Sequence, residues 1–143
     1  MPSKPKVYFF YQNVQISLSN RSGLKKFIES VFRKERKSLA SINYIFVSDN
    51  ALLEINKQFL KHDFYTDIIT FDLSESEDII AEIYISIDRV RDNAKALGIS
   101  FKSEILRVIF HGALHLCGFG DKTKGEKTKI KKKEDFYLQK YDK

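Results

Sequence analysis

Three features of the sequence predict an α+β fold, in which a small mixed β-sheet is covered by helices. Apolar segments typical of strands occur at residues 6–17, 41–48, 67–71 and 79–85. Amphipathic segments with apolar residues at helical spacing lie between and after these strands. The segment 100–118 is apolar on nearly all sides, which indicates a buried central helix.

The elements follow one another as strand, helix, strand, helix, two strands and further helices. The first helix follows the first strand, and Ser22 is its predicted N-cap. Asp49 is the predicted N-cap of the second helix. Gly98 and Gly118 are predicted to end the next two helices, because glycine is the favoured residue just beyond a helix. A last helix is expected from about Glu126 onward.

The composition limits the class of protein. The 143 residues fit a single domain, 1–143, and 43% hydrophobic residues exclude a disordered chain. A single cysteine, Cys117, excludes an internal disulfide and a Cys-rich zinc finger, so any metal site must use histidine and carboxylate ligands. No segment resembles an export signal or a transmembrane span. We therefore expect a cytoplasmic protein with no membrane partner.

The charge is positive and unevenly distributed. The formal net charge is +6, which attracts polyanions such as nucleic acids. Seven lysines lie between residues 122 and 133. A solvated helix face is the ordinary explanation of such a cluster. Its position directly after a possible metal site favours attraction of phosphate groups.

Residues 111–121, HGALHLCGFGD, contain three possible metal ligands. His111 and His115 lie one turn apart on the same face of a helix. In a continuous helix Asp121 would lie roughly 80° away from His111, but the two intervening glycines allow the chain to fold back. The pattern HxxxHxxGxxD thus predicts three protein ligands around an open position, as in catalytic zinc sites, although nickel, iron or cobalt would also suit. The alternative is two core histidines and a turn aspartate.

The residue after the first histidine argues against one enzyme class. Zinc peptidases of the HExxH type carry their general base there, and this chain has Gly112. A peptidase is therefore disfavoured. A metal site that is followed by many lysines, but lacks the glutamate base of the peptidases, favours chemistry on phosphodiester bonds.

Three segments resemble the YbeY family of bacterial rRNA maturation factors. HGALHLCGFGD resembles the family pattern H-G-x-L-H-L-x-G-[YF]-x-x. INKQFLKHDFYTDIITFD, residues 55–72, resembles L-N-x-x-Y-R-x-x-D-x-x-T-D-V-L-S-F, and AEIYIS, residues 81–86, corresponds to G-D-I-x-I-S. The order of elements agrees along almost the whole chain.

This resemblance implies a single-domain, zinc-dependent endoribonuclease that acts on single-stranded RNA. It also implies roles in 16S rRNA 3′-end maturation and in assembly and quality control of the small ribosomal subunit. Family members hold zinc on three histidines, of which His111 and His115 match two. Asp121 replaces the third histidine and Leu60 replaces the family's arginine.

The residues that we expect to act in the site fall into three groups. The metal ligands are His111, His115 and Asp121, and the catalytic candidates are His111 and Asp67. The candidate RNA-binding residues are Lys61, Arg107, Lys122, Lys124 and Lys127.

Structural roles remain open for several of these residues. Asp67 could instead cap the start of a strand, and Arg107 could simply pair with Glu104. Glu82 could support a ligand imidazole or form a salt bridge. The rival function is a non-catalytic ribosome-assembly factor with a structural metal, which Leu60 favours.

Overall fold

The computed structural model describes residues 4–142, in which four strands form one mixed sheet. The strands are β1 (Val7–Tyr11), β2 (Ser38–Val47), β3 (Ile68–Asp72) and β4 (Asp78–Ser86). Their order is β1-β2-β4-β3. β1, β2 and β4 are parallel, and β3 is antiparallel to β4. The predicted α+β class with a mixed sheet is confirmed.

Five helices complete the described part of the chain. They are α1 (Arg21–Lys34), α2 (Asp49–Leu60), α3 (Ile87–Leu97), α4 (Phe101–Leu116) and α5 (Lys124–Tyr141). No helix within residues 4–142 combines the length and apolarity needed to cross a membrane.

The two faces of the sheet bury different side chains, because successive strand residues point to opposite sides. On β2, Tyr44 and Phe46 face the larger core, which α1, α4 and α5 also line. Ile45 and Val47 face a smaller core formed with Leu52 of α2. The sheet is therefore covered by helices on both faces.

The central helix α4 lies directly on the sheet. The hydroxyl of the buried Tyr44 donates to the carbonyl of Ile109 at 3.0 Å, which ties β2 to the middle of α4. A Cβ atom at Gly112 would lie 2.8 Å from Ile83 Cδ1 and 3.0 Å from Ile68 Cδ1. Glycine at this position thus permits the close approach of the helix to the sheet, and any side chain there would displace the ends of the Ile83 and Ile68 side chains.

The N-cap of α1 is Asn20, so the prediction of Ser22 was wrong. The Asn20 side chain accepts a hydrogen bond from the Gly23 N–H at 3.1 Å. Asparagine tolerates the left-handed backbone found here, with φ of 53°, better than most residues do.

The N-cap of α2 is Ser48, and the prediction of Asp49 was also wrong. The Ser48 hydroxyl accepts from the Ala51 N–H at 3.2 Å. Asp49 occupies the first helical position, where its carboxylate accepts from the Ser86 hydroxyl at 2.9 Å and from Arg89 at 2.7 Å. Its charge therefore ties α2 to the start of α3.

The first strand ends earlier than predicted, α3 ends where predicted, and α5 begins slightly earlier than predicted. The first strand ends at Tyr11 rather than near residue 17, and Asn13 has a positive φ of 54°, which interrupts extended backbone. Gly98 caps α3 with φ of 69°, as predicted. α5 begins at Lys124, two residues before the predicted Glu126, because Thr123 and Glu126 form a capping box.

Candidate metal centre and its cleft

The polar stripe predicted on the central helix is present. Arg107, His111 and His115 are half-buried, whereas nearly every other residue of α4 from Glu104 to Leu114 is buried. The two histidine rings are 4.4 Å apart between centroids and nearly perpendicular, at 89°. Both imidazoles therefore project into the same space at the C-terminal half of α4.

The chain reverses immediately after α4. The Phe119 N–H donates to the Leu114 carbonyl at 3.0 Å, and Gly118 has φ of 103°, a left-handed value that favours glycine. The Phe119 carbonyl then lies 2.7 Å from His115 Nδ1. This turn brings Asp121 back beside the helix that it has just left.

Three ligand atoms converge at this turn. Asp121 Oδ2 lies 3.2 Å from His115 Nε2 and 3.6 Å from His111 Nε2. One ligand atom from each of the three residues lies within 4.8 Å of the other two. The predicted grouping of His111, His115 and Asp121 is confirmed, and the group could hold a metal ion.

The second nitrogen of each imidazole is already occupied. His111 Nδ1 lies 2.5 Å from Glu134 Oε2, and His115 Nδ1 lies 2.7 Å from the Phe119 carbonyl. Because both of these partners are acceptors, each Nδ1 would carry the proton when a metal ion is bound, and each Nε2 would offer its lone pair to the ion. Metal-binding histidines commonly have this arrangement, so the donor set fits a divalent ion.

Glu134 belongs to a buried charge network on the other side of His111. It is 3% exposed, and its Oε1 accepts from Arg107 at 3.1 Å. Arg107 also binds Glu104, which is fully buried, at 2.8 and 2.6 Å. Burial raises the pKa of Glu134, but the hydrogen bond from His111 and the charge of Arg107 outweigh burial and hold that pKa below its ordinary value.

The segment after Asp121 is also fixed. Glu126 Oε1 accepts from the backbone N–H groups of Lys122 at 3.2 Å and Thr123 at 3.0 Å, while the Thr123 hydroxyl accepts from the Glu126 N–H. This capping box anchors the start of α5 directly after Asp121.

The three ligand atoms open into a cleft of about 800 Å³. One wall comes from α2 and the loop after it, and another comes from the start of β3, including Asp67. Asn93 donates to Asp67 Oδ2 at 3.3 Å. Burial raises the pKa of Asp67, and this effect outweighs the opposing influence of the nearby Arg107 and His111 side chains. Asp67 therefore holds a proton more readily than an exposed aspartate does.

A second cleft of about 630 Å³ meets the first at the cluster, because His111 and Asp121 line both. Its rim carries Lys127 and Lys131, and its wall carries the exposed Leu97. The cluster therefore lies between two depressions, where an extended ligand could contact both.

The predicted RNA-binding residues have different positions. Lys122 lines the first cleft and Lys127 the second, whereas Lys61 and Lys124 are exposed but line neither. Arg107 lines the second cleft, but its ion pairs with two glutamates compensate its charge.

Two residues of the site were missed by sequence reasoning. Glu134 lies four residues after Ile130 and three before Tyr137, and all three are buried on one face of α5. A charged residue at a core-facing position was the available signal. Asn56, four residues after Leu52 on the buried face of α2, gave the same signal. By contrast, Glu82 accepts from Tyr84 at 3.3 Å, on the sheet face opposite α4, and so supports neither imidazole.

Comparison with known proteins identifies the family. The model of the family described as Endoribonuclease YbeY matches residues 9–142. The chain belongs to the YbeY family. It is 46% identical over 133 residues to Endoribonuclease YbeY of Cytophaga hutchinsonii, covering 92% of this chain and 93% of that protein. It is 42% identical to the protein of the same name from Flavobacterium psychrophilum, and the match covers 91% of this chain and 93% of that protein.

A solved structure agrees with the YbeY assignment. The solution structure of TM1509 from Thermotoga maritima matches with a TM-score of 0.64 and 31% identity, covering 95% of this chain and 87% of that one.

Proposed function

We propose that this chain is a metal-dependent endoribonuclease that cuts single-stranded RNA. The observation that carries the proposal is the convergence of His111 Nε2, His115 Nε2 and Asp121 Oδ2 at the meeting point of two clefts. Membership of a family described as Endoribonuclease YbeY supplies the reaction and the class of substrate.

Zinc is the ion that we propose for the site. Two imidazoles and one carboxylate form a common catalytic zinc ligand set. A bound divalent ion would supply positive charge for the scissile phosphate and would lower the pKa of a coordinated water.

The chain's own groups have separate roles in this proposal. His111 and His115 hold the metal, and Asp121 completes the ligand set. Asp67, whose pKa is raised by burial, exchanges a proton with the reacting phosphate or with water in the first cleft. Asp67 and the metal-binding His111 are the catalytic residues that we propose.

The basic residues around the clefts would bind the RNA backbone. Lys122 and Lys127 each lie at one of the two clefts, and Lys61 and Lys124 add positive charge nearby. Arg107 contacts RNA only if a phosphate competes with its two carboxylate partners.

The biological role that we propose is maturation of the 16S rRNA 3′ end during assembly and quality control of the small ribosomal subunit, in the cytoplasm. This role follows from the resemblance of the motifs to the family pattern. We further propose that residues 1–143 act as one domain, which agrees with the family match over 9–142.

One residue favours the rival function, a non-catalytic assembly factor with a structural metal. Leu60 stands where the family pattern has an arginine, and it is exposed at the first cleft. If the metal were only structural, chelation would lower the melting temperature by many degrees and RNA would remain uncut.

The proposal is tested with His115→Ala. We expect loss of both bound zinc and cleavage of a labelled single-stranded RNA, measured by elemental analysis and gel electrophoresis. His62→Ala is the matched control for metal content, since it removes the histidine outside the cluster. Undiminished cleavage by His115→Ala would contradict the proposal.

A further inference from the structure

Two aromatic rings stack at the edge of the cleft that contains the metal-ligand cluster. His62 and Phe64 have ring centroids 5.0 Å apart and an interplanar angle of 21°. Both residues line the first cleft, together with His111, His115 and Asp121. Phe64 is 54% exposed, so about half of its side chain contributes no free energy of apolar burial to the fold.

The loop that carries these rings is held in place by one buried residue. The Asn56 carbonyl accepts from the His62 N–H at 3.1 Å, and Asn56 Nδ2 donates to the Phe64 carbonyl at 2.8 Å. Asn56 is 1% exposed, so its end of each bond is buried. Lys61, between them, has the left-handed backbone that ends α2. The two rings are therefore presented in a fixed position, which reduces the entropy lost on binding.

Neighbouring exposed aromatics have partners within the protein. The Tyr65 ring lies 5.2 Å from the Arg89 guanidinium, and its hydroxyl donates to Asn50 at 3.4 Å. Phe59 packs edge-on against Phe71 at 5.9 Å. His62 and Phe64 stack on each other, and a two-ring stack leaves an outer ring face free.

We propose that the His62–Phe64 pair is a nucleobase-binding platform, on which one base of the RNA stacks beside the phosphate to be cut. The inference rests on the proposed function and adds a subsite to it. Stacking on aromatic rings accepts any base, because every base has a π face. Paired bases in a duplex do not offer that face, so the platform would select single strands.

The surroundings favour RNA over a protein partner for this surface. The platform shares a cleft with the cluster and with Lys122, so a stacked base would lie on the same strand as a phosphate near the metal ligands. A flat two-ring stack also matches a planar base in shape.

The experiment compares two oligonucleotides of equal charge. Both are short single strands with 2′-O-methyl sugars and phosphorothioate linkages that suppress cleavage; one carries adenines and the other is abasic. Binding to zinc-supplemented protein is measured by fluorescence anisotropy. We expect the wild type to prefer the adenine strand by about tenfold, the stacking contribution of roughly one base.

Substitutions then assign that preference to the platform. Phe64→Ala should abolish it while leaving abasic-strand binding and zinc content unchanged, and Phe64→Trp should retain it. Phe10→Ala is the matched control, since Phe10 is 47% exposed on β1, the edge strand opposite β3. It should behave as the wild type.

Several results would overturn the platform. These are a wild type without base preference, a preference that survives Phe64→Ala, or equal weakening of both strands by Phe64→Ala. After any of these results, the loop with His62 and Phe64 would be interpreted as a surface for protein partners or as a purely structural part of the fold. Failure of the proposed function looks different: base preference and its loss in Phe64→Ala would be seen, but the wild type would bind no zinc and cut no RNA.

Discussion

At the residue scale, the candidate metal centre depends on a glutamate that is distant in sequence from the three candidate ligands. Glu134 accepts from His111 Nδ1 and is itself held by Arg107. This fixes the imidazole so that Nε2 faces Asp121. Substitution of an acceptor that binds the second nitrogen of a metal-binding histidine typically weakens metal binding by about 10- to 100-fold.

We therefore predict that Glu134→Gln weakens zinc binding by about 10- to 100-fold, measured by competition with a chromophoric chelator. The amide keeps the shape of the side chain but loses the charge. Asp135→Asn is the matched control, since it removes one carboxylate from the adjacent, exposed position. Equal affinity of Glu134→Gln and the wild type would show that Glu134 only packs the core.

The grouping of the three candidate ligands could be predicted from the sequence because it depends on local geometry. His111 and His115 are one helical turn apart, and the glycines of the turn that returns Asp121 lie between His115 and Asp121 in the chain. Glu134 could not be paired with His111 in this way, since that contact depends on how α5 packs against α4. His62 and Phe64 similarly acquire their positions from Asn56, through bonds that spacing alone does not reveal.

At the element scale, the strand and helix order was predicted well, and the N-caps were not. Periodicity determines which segments are strands or helices, whereas a cap depends on which of several adjacent polar residues adopts the right backbone. Ser48 and Asp49 are both good capping residues, but Ser48 caps the helix and the Asp49 carboxylate forms an ion pair with Arg89 of α3. Asn20 was preferred over Ser22 because it accepts the left-handed backbone.

The closeness of α4 to the sheet gives a prediction about Gly112. An alanine Cβ would press on the ends of the Ile83 and Ile68 side chains, and this overpacking exceeds the gain in helix propensity, so Gly112→Ala should lower the free energy of unfolding by about 1 kcal/mol, measured by urea denaturation. Gly125→Ala is the matched control. Its Cβ meets open space in α5, and it should stabilise the protein by about 0.5–1 kcal/mol. A neutral Gly112→Ala would mean that α4 lies farther from the sheet.

The same contact explains why this site lacks the base of the HExxH peptidases. A glutamate at position 112 would have to occupy the space of the Ile83 and Ile68 side chains. The helix can therefore present metal ligands on its open side, but it has no room for a general base on the side that packs against the sheet.

At the scale of the whole molecule, both clefts that meet at the cluster carry lysines beside the carboxylates of their walls. Lys122 and Lys127 lie on either side of the ligand atoms. The net charge of +6 adds a general attraction for RNA.

This arrangement predicts the salt dependence of RNA binding. Each phosphate contact to a single strand contributes about −0.7 to the slope of log K against log salt concentration. Lys127→Gln should therefore make the slope shallower by about 0.7 in anisotropy titrations. Lys4→Gln, just before β1 at the opposite edge of the sheet, should leave the slope unchanged. Equal slopes for all three proteins would place the RNA elsewhere.

The proposed function requires that His111, His115 and Asp121 together hold a metal ion. Elemental analysis of the freshly purified protein beside Asp121→Ala tests it most directly, with Asp92→Ala as a control that removes an exposed carboxylate on α3. We predict about one zinc per chain in the wild type and the control, and its loss in Asp121→Ala. No metal in the wild type, and no uptake when zinc is added, would contradict the account.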